Sequence, residues 1–175
     1  MEKCFVSSRE DTPNDEPLRR RRTRVLCLGN ELLGDDAFGY LVAEQLRRLL
    51  TSDIEVISTS ESGLHLLDYV LGVSRLIVVD TIQTNETAPG TIYEFHHGEL
   101  SRFPGSSPHT VGLFETLELA ARLNSASPTV TVFAVEARNS LVLGDPISSE
   151  LRASIPTVVK MVHRAVHKQP LPDGG

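Results

Sequence analysis

Short β-branched runs and amphipathic helical stripes alternate along almost the whole chain. Short apolar runs bounded by turn residues are typical of buried strands, and apolar repeats at three- and four-residue spacing are typical of helices that face a core. Five strands are predicted, at Arg24–Leu28, Ile54–Ile57, Leu76–Val79, Thr91–Phe95 and Thr129–Val135. Four helices are predicted, at Asp36–Leu50, Gly63–Leu71, Val111–Leu123 and Ser148–Val166.

This order of elements predicts an α/β fold. Strands that alternate with helices form a mostly parallel sheet covered on both faces, so we expect three layers around a twisted five-stranded sheet in one domain, residues 23–168. Pro156 lies inside the last helical stripe, and that helix is expected to kink or to start afresh there. Ligands of such sheets bind beyond the carboxyl ends of the strands, which makes the residues after the first and third strands candidates for a site.

The two ends of the chain lack a hydrophobic period. Residues 1–22 are polar and contain Pro13 and Pro17, so they cannot bury enough surface to offset the entropy of ordering. We predict a disordered extension at 1–22, in which Arg19–Arg22 is a solvated charge run, and a flexible tail at 169–175.

Charge and hydropathy argue against two classes of protein. The formal net charge is −6, whereas a nucleic-acid-binding domain presents a basic surface. No stretch of about 18 apolar residues suits a membrane span, and the charged N-terminus lacks the apolar segment of a signal peptide. We therefore expect a cytoplasmic protein that neither binds nucleic acid nor inserts into a membrane. Cys4 and Cys27 lie in unlike surroundings, so neither a disulfide framework nor a paired metal site is expected.

Two adjacent carboxylates, Asp35 and Asp36, follow the first predicted strand. The nearby glycines resemble a phosphate loop, but the Gly-Lys-Ser/Thr sequence is absent and the carboxylates would repel a phosphate. Asp35 is expected to cap the next helix. Asp36 is the stronger candidate for binding a cation, because Asp80 ends the third strand and is expected at the same crevice. A turn-forming or capping role for Asp80 is the alternative.

His109 differs from the other histidines because it lies in a loop, Pro104–Thr110, that leads into the third predicted helix. A lone loop histidine is commonly a surface residue. Together with Asp36 and Asp80, however, it would complete a set of one nitrogen and two oxygen ligands. Such a set suits a divalent transition metal that keeps open positions for water or substrate.

Several motifs in this order resemble the hydrogenase maturation endopeptidases. They are Leu28–Gly39, Ile77–Asp80, Ser107–Leu113, Val135–Glu136 and Ile147–Ser148. The resemblance implies a phosphorylase/hydrolase-like α/β fold, with Asp36, Asp80 and His109 as metal-binding and catalytic residues. Gly29 and Asn30 of the first motif are predicted to bind the substrate. The chain departs from the family at Cys27 and Ala37, where glycine is frequent, and at Ala137, where proline is usual.

The resemblance also implies a reaction and a partner. Family members remove a C-terminal peptide from the large-subunit precursor of a nickel-iron hydrogenase after nickel insertion, so nickel in the precursor is the expected recognition signal. The enzyme itself is expected to bind a divalent metal weakly. Three alternatives stay open: a non-enzymatic module that binds nickel or the precursor, a related peptidase for a non-hydrogenase precursor, and a small nucleotide-binding protein.

Deletion of residues 2–22 is expected to leave thermal stability almost unchanged, since that segment has no apolar pattern with which to dock. The melting temperature should stay within about 2 °C of the parent's. A larger fall, measured by circular dichroism, would show that the extension contributes to the fold.

Overall fold

The computed structural model describes residues 22–96, 99, 112–123, 128–138 and 142–168. The predictions for residues 1–21, for residues 169–175 and for the loop that carries His109 lie outside these residues. Among those described, Arg22 is tied to the sheet, because its carbonyl accepts the N–H groups of Ser74 and Arg75 at 3.0 and 3.3 Å. A deletion that ends at residue 21 preserves these bonds.

The described strands form one five-stranded sheet. They are β1 (Thr23–Leu28), β2 (Glu55–Thr59), β3 (Arg75–Ile82), β4 (Ile92–His96) and β5 (Thr129–Glu136). Their order is β2-β1-β3-β5-β4, and all neighbours are parallel except β4, which runs antiparallel to β5. The predicted mostly parallel α/β sheet is confirmed.

Helices cover both faces of this sheet. They are α1 (Phe38–Leu49), α2 (Leu67–Val70), α3 (Leu113–Leu123) and α4 (Ser149–His167), and 3₁₀ turns at Gly34–Ala37 and Gly63–Leu66 lead into α1 and α2. The prediction that α4 starts afresh at Pro156 is wrong, since the helix runs through it. Pro156 is on the exposed face, where water can satisfy the carbonyl that loses its helical partner.

Side chains alternate between two apolar clusters because successive strand residues point to opposite faces. One face packs against α1 and α4 through a cluster that includes Val25, Cys27, Ile77, Val79 and Phe133. The other face packs against α2 and α3 through Leu26, Leu28, Leu76, Val78 and Val132. Each face therefore has its own core, and the three inner strands β1, β3 and β5 between them are mostly buried.

The end of β1 lies in very close contact with the start of α1. A Cβ atom at Gly39 would overlap the backbone carbonyl oxygen of Leu28, and one at Gly29 would overlap that of Asp36. Gly29 also has a φ of +142°, a conformation that L side chains rarely adopt. Both positions must therefore be glycine if the turn that carries Asp36 is to fold back onto the strand.

Gly39→Ala is expected to lower the free energy of unfolding by about 3 kcal/mol or more, because the new methyl group must push α1 away from β1. Gly72→Ala is the matched control, since a Cβ there meets nothing within 4 Å and only its φ of +73° is unfavourable. The control should lose about 1–2 kcal/mol. Urea unfolding that gives equal losses would contradict this account of the contact.

Candidate functional site

Asp80 is the central carboxylate of the carboxyl edge of the sheet. Its residue is 1% exposed, and one oxygen, Oδ1, accepts the N–H of Thr81 at 2.8 Å. The strand does not end at Asp80 as predicted, because β3 continues to Ile82 through its pairing with β5. Cys27 pairs with Val79, so Asp80 lies level with the last residue of β1. Val78 and Asp80 are two residues apart in the strand, so their side chains point to the same face, which α3 covers.

Asp36 lies beside the end of β1 although it is several residues away in sequence. It is 1% exposed, and its Oδ2 accepts the backbone N–H of Asn30 at 2.8 Å. Asn30 also shapes the turn, since its Oδ1 accepts the N–H of Leu32 at 3.0 Å. The structure therefore brings Asp36 and Asp80 to the same edge of neighbouring strands, each with one oxygen oriented by the backbone.

Asp35 does not cap a helix, so that prediction is wrong. Neither the 3₁₀ turn nor α1 has a side-chain cap at its start. The carboxylate of Asp35 instead accepts the backbone N–H groups of Ser148 at 2.8 Å and of Arg138 at 3.2 Å. Both partners belong to the connection between β5 and α4, so these two donors are satisfied by a residue that is 4% exposed.

Glu136 is a buried site residue whose contacts sequence reasoning missed. It is 2% exposed, and its Oε1 accepts the N–H groups of Thr84 and Asn85, both at 2.9 Å. Its Oε2 accepts the hydroxyl groups of Thr84 at 2.7 Å and of Tyr93 at 3.3 Å. Glu136 thus fixes the β3–β4 connection just beyond Asp80. Its sequence signals were an acidic residue at the end of an apolar strand and the Val135–Glu136 motif, neither of which indicates these partners.

A polar cleft of about 200 Å³ opens at the carboxyl ends of β1 and β2. It is lined by Gly29, Asn30, Glu31, Tyr40, Ser58, Thr59 and Ser60. The negative charge of Glu31, followed by that of Glu44, raises the pKa of Tyr40. The phenol therefore stays protonated at neutral pH and can donate a hydrogen bond. Gly29 and Asn30 have structural roles in the turn and also border this cleft.

The thiol of Cys27 is unsuited to nucleophilic attack. It is fully buried, and burial raises its pKa to about 12. A thiolate is the reactive form of cysteine, so Cys27 stays protonated and inert in β1. Its side chain belongs to the apolar core on the α1 and α4 face of the sheet.

His109 lies outside the described residues, but the end of its loop is visible at Gly112. A Cβ atom on Gly112 would overlap the Cα of Gly63, and Gly112 has a φ of +96°. The hydroxyl of Thr116 donates to the carbonyl of Gly63 at 3.0 Å. These contacts fix the start of α3 against the segment that follows β2, at the same edge of the sheet as Asp36 and Asp80.

Within the described ranges, no group of three or more His, Cys, Asp and Glu side chains is arranged to hold a metal ion. Two of the three predicted ligands fall in those ranges. The helices described there also include none with the length and apolarity needed to cross a membrane.

The family model for hydrogenase maturation proteases (HycI) matches residues 40–165. The chain therefore belongs to the hydrogenase maturation protease family. It is 28% identical over 142 residues to the hydrogenase expression/formation protein HupD of Thiocapsa roseopersicina, covering 78% of this chain and 64% of that relative. It is 34% identical over 100 residues to the hydrogenase 2 maturation protease of Escherichia coli, covering 55% and 61% of the two chains.

The fold is shared with solved structures of the family. The hydrogenase maturating endopeptidase HybD from E. coli superposes with a TM-score of 0.73 at 28% identity, covering 83% of this chain and 91% of the other. The [NiFe] hydrogenase maturation protease HybD from Thermococcus kodakarensis gives a TM-score of 0.68 at 24% identity, covering 82% and 98%. The chain thus spans a little under two thirds of the HupD sequence but nearly all of these solved domains.

Glu136→Ala is expected to lower the free energy of unfolding by about 3 kcal/mol, because a side chain that is almost fully buried and accepts four hydrogen bonds is lost. Glu136→Gln should cost roughly 1 kcal/mol, since its oxygen can keep the two N–H donors and its amide can donate to the two hydroxyls. Urea unfolding would measure both variants. Equal losses would contradict the assigned hydrogen bonds.

Proposed function

We propose that this protein is an endopeptidase that removes the C-terminal peptide from the large-subunit precursor of a nickel-iron hydrogenase once nickel is inserted. The observation that carries the proposal is the burial of two carboxylates, Asp36 beside the end of β1 and Asp80 on the neighbouring strand β3, in a chain of this family. Relatives named as a hydrogenase 2 maturation protease and a [NiFe] hydrogenase maturation protease support the substrate class. Nickel enters as part of that substrate.

Asp36, Asp80 and His109 are the groups proposed to bind the metal and carry the catalysis. Two carboxylates and one imidazole suit a divalent transition metal and leave coordination positions open. The backbone N–H groups of Asn30 and Thr81 orient one oxygen of each carboxylate, as outer-shell hydrogen bonds do for metal ligands. Three protein ligands give only modest affinity for the metal. Water or thiolates of the precursor complete its coordination.

The position of α3 supports the inclusion of His109. This residue precedes Gly112 by three positions, so the chain keeps its Cα within about 11 Å of the Gly112 Cα. Gly112 contacts Gly63 at the carboxyl edge, and α3 covers the sheet face to which Asp80 belongs. These placements of Gly112 and α3 support the inclusion of His109 in the proposed site.

Hydrolysis adds a water oxygen to the scissile carbonyl carbon, breaks the C–N bond and transfers a proton to the new amine. A divalent metal, when bound, supplies Lewis-acid polarisation of that carbonyl. Asp36 and Asp80 supply carboxylate oxygens that can take the proton from the water. Cys27 cannot replace the water as nucleophile, because its thiol is buried and its pKa is raised to about 12.

The cleft beside the Asp36 turn is proposed to receive the precursor peptide. Gly29 and Asn30 contribute to its wall, and Tyr40, which carries a hydroxyl, also lines it. Because this wall is continuous with the turn that carries Asp36, a peptide in the cleft runs directly past the carboxylate.

The other readings make different predictions for the same protein. A binding module would retain the precursor without cutting it, and a related peptidase would cut a different precursor. A nucleotide-binding function has the least support, because the carboxyl edge carries buried aspartates where a phosphate would bind. The cytoplasmic location stays a prediction.

Asp80→Asn and His109→Ala are expected to stop processing while the domain stays folded, because the first replaces a proposed carboxylate ligand with an amide of the same size and the second removes the proposed imidazole ligand. The loss in kcat/KM should exceed about 100-fold. The measurement is mass spectrometry of the nickel-loaded large-subunit precursor, in which cleavage releases a C-terminal peptide.

His167→Ala is the matched control, since His167 is exposed and the carbonyls of its neighbours Val166 and Lys168 accept hydrogen bonds from Arg75 at the start of β3, the opposite edge of the sheet. It should process at the parent's rate. Processing by His109→Ala at the parent's rate would remove that residue from the site. A parent protein that binds the loaded precursor tightly and never shortens it would favour the binding module.

A further inference from the structure

The proposed mechanism makes no use of Asp35, although its carboxylate is almost fully buried. We propose that Asp35 is a positioning residue that sets the place of Asp36 relative to Asp80. This inference rests on the proposed site and assigns Asp35 a role beyond stabilising the fold.

The partners of Asp35 are far from it in sequence. Its Oδ1 accepts the N–H of Ser148, 113 residues later, and its Oδ2 accepts the N–H of Arg138, 103 residues later. Arg138 follows the end of β5, and Ser148 immediately precedes α4. A single carboxylate thus ties the turn after β1 to the end of another strand and to the start of a helix.

The same two segments are joined by backbone contacts. Leu33 forms an antiparallel bridge with Leu143, and the N–H of Gly144 donates to the carbonyl of Leu32 at 2.9 Å. These backbone contacts involve Leu32 and Leu33, which precede Asp35 in the chain. The Asp35 carboxylate adds its own bonds to the same connection. The 3₁₀ turn at Gly34–Ala37 is therefore held by contacts with the β5–α4 connection as well as by hydrogen bonds within the turn.

The sheet order explains why this junction concerns the site. β3 lies between β1 and β5, so the bonds from Asp35 span the strand that carries Asp80. Asp35 and Asp36 are consecutive in one tight turn, and a displacement of the first moves the second. Asp35 thereby helps to set the distance between the carboxylates of Asp36 and Asp80.

Asp35→Asn tests this role because it keeps the size of the side chain and replaces one acceptor oxygen with an NH₂ group that cannot accept. Asp145→Asn is the matched control, since Asp145 is exposed on the same β5–α4 connection. Three readouts apply to each full-length variant: amide spectra and hydrogen exchange by NMR, cadmium affinity, and the kinetics of precursor cleavage.

The amide of Asn30 is the decisive reporter, because it donates to Asp36 Oδ2 at 2.8 Å and so follows the position of that carboxylate. In Asp35→Asn the amides of Arg138 and Ser148 should exchange faster and the Asn30 resonance should move. Cadmium affinity and kcat should each fall by about 10- to 100-fold, while KM stays within roughly twofold. The Asp145→Asn control should match the parent in every readout.

An unmoved Asn30 resonance, or an unchanged kcat and cadmium affinity, in a variant whose Ser148 amide has lost protection would overturn the proposal, because Asp35 would then only stabilise the fold. If Asp35→Asn does not fold, Asp35→Ser, which keeps one acceptor, is judged by the same readouts. A parent that never cleaves the precursor contradicts the proposed function instead, and the Asn30 amide still decides whether Asp35 positions Asp36.

Discussion

Buried carboxylates that accept backbone N–H groups hold the carboxyl edge of this sheet together. Asp35 fixes the β5–α4 connection, Glu136 fixes the β3–β4 connection, and Asp36 fixes its own turn through Asn30. A donor or acceptor left without a partner away from water is costly. Side-chain hydrogen bonds to the backbone thus order the loops around the site.

This arrangement depends on the close backbone contact beneath it. Gly29 and Gly39 let the start of α1 touch the end of β1, and only then can the Asp36 turn fold back over the strand. The family often has glycine at the positions of Cys27 and Ala37. Cys27 packs inside the core on the α1 and α4 face. The chain tolerates this departure because the close contact between β1 and α1 depends on Gly29 and Gly39 instead.

The strands and helices were predictable because they follow from local patterns. The run Leu76–Val79 is buried on both faces and therefore reads as apolar throughout, and the stripe of α1 marks the face it packs. The placement of Asp36 and Asp80 near one edge of the sheet was also predictable, since they follow or end such runs, and their roles stay predictions. The role of Asp35 was not, because its partners lie 103 and 113 residues away and are backbone groups. From the local sequence alone, such a residue is expected to cap the next helix. In the folded protein its carboxylate makes tertiary hydrogen bonds instead.

The most direct test of the account is a crystal of the protein soaked in cadmium and measured at a wavelength where cadmium scatters anomalously. The account predicts one anomalous peak, from a cadmium ion coordinated by the carboxylates of Asp36 and Asp80 and by the imidazole of His109. A peak at His96 and His97, or cadmium still bound in an Asp36→Ala, His109→Ala double variant, would contradict it.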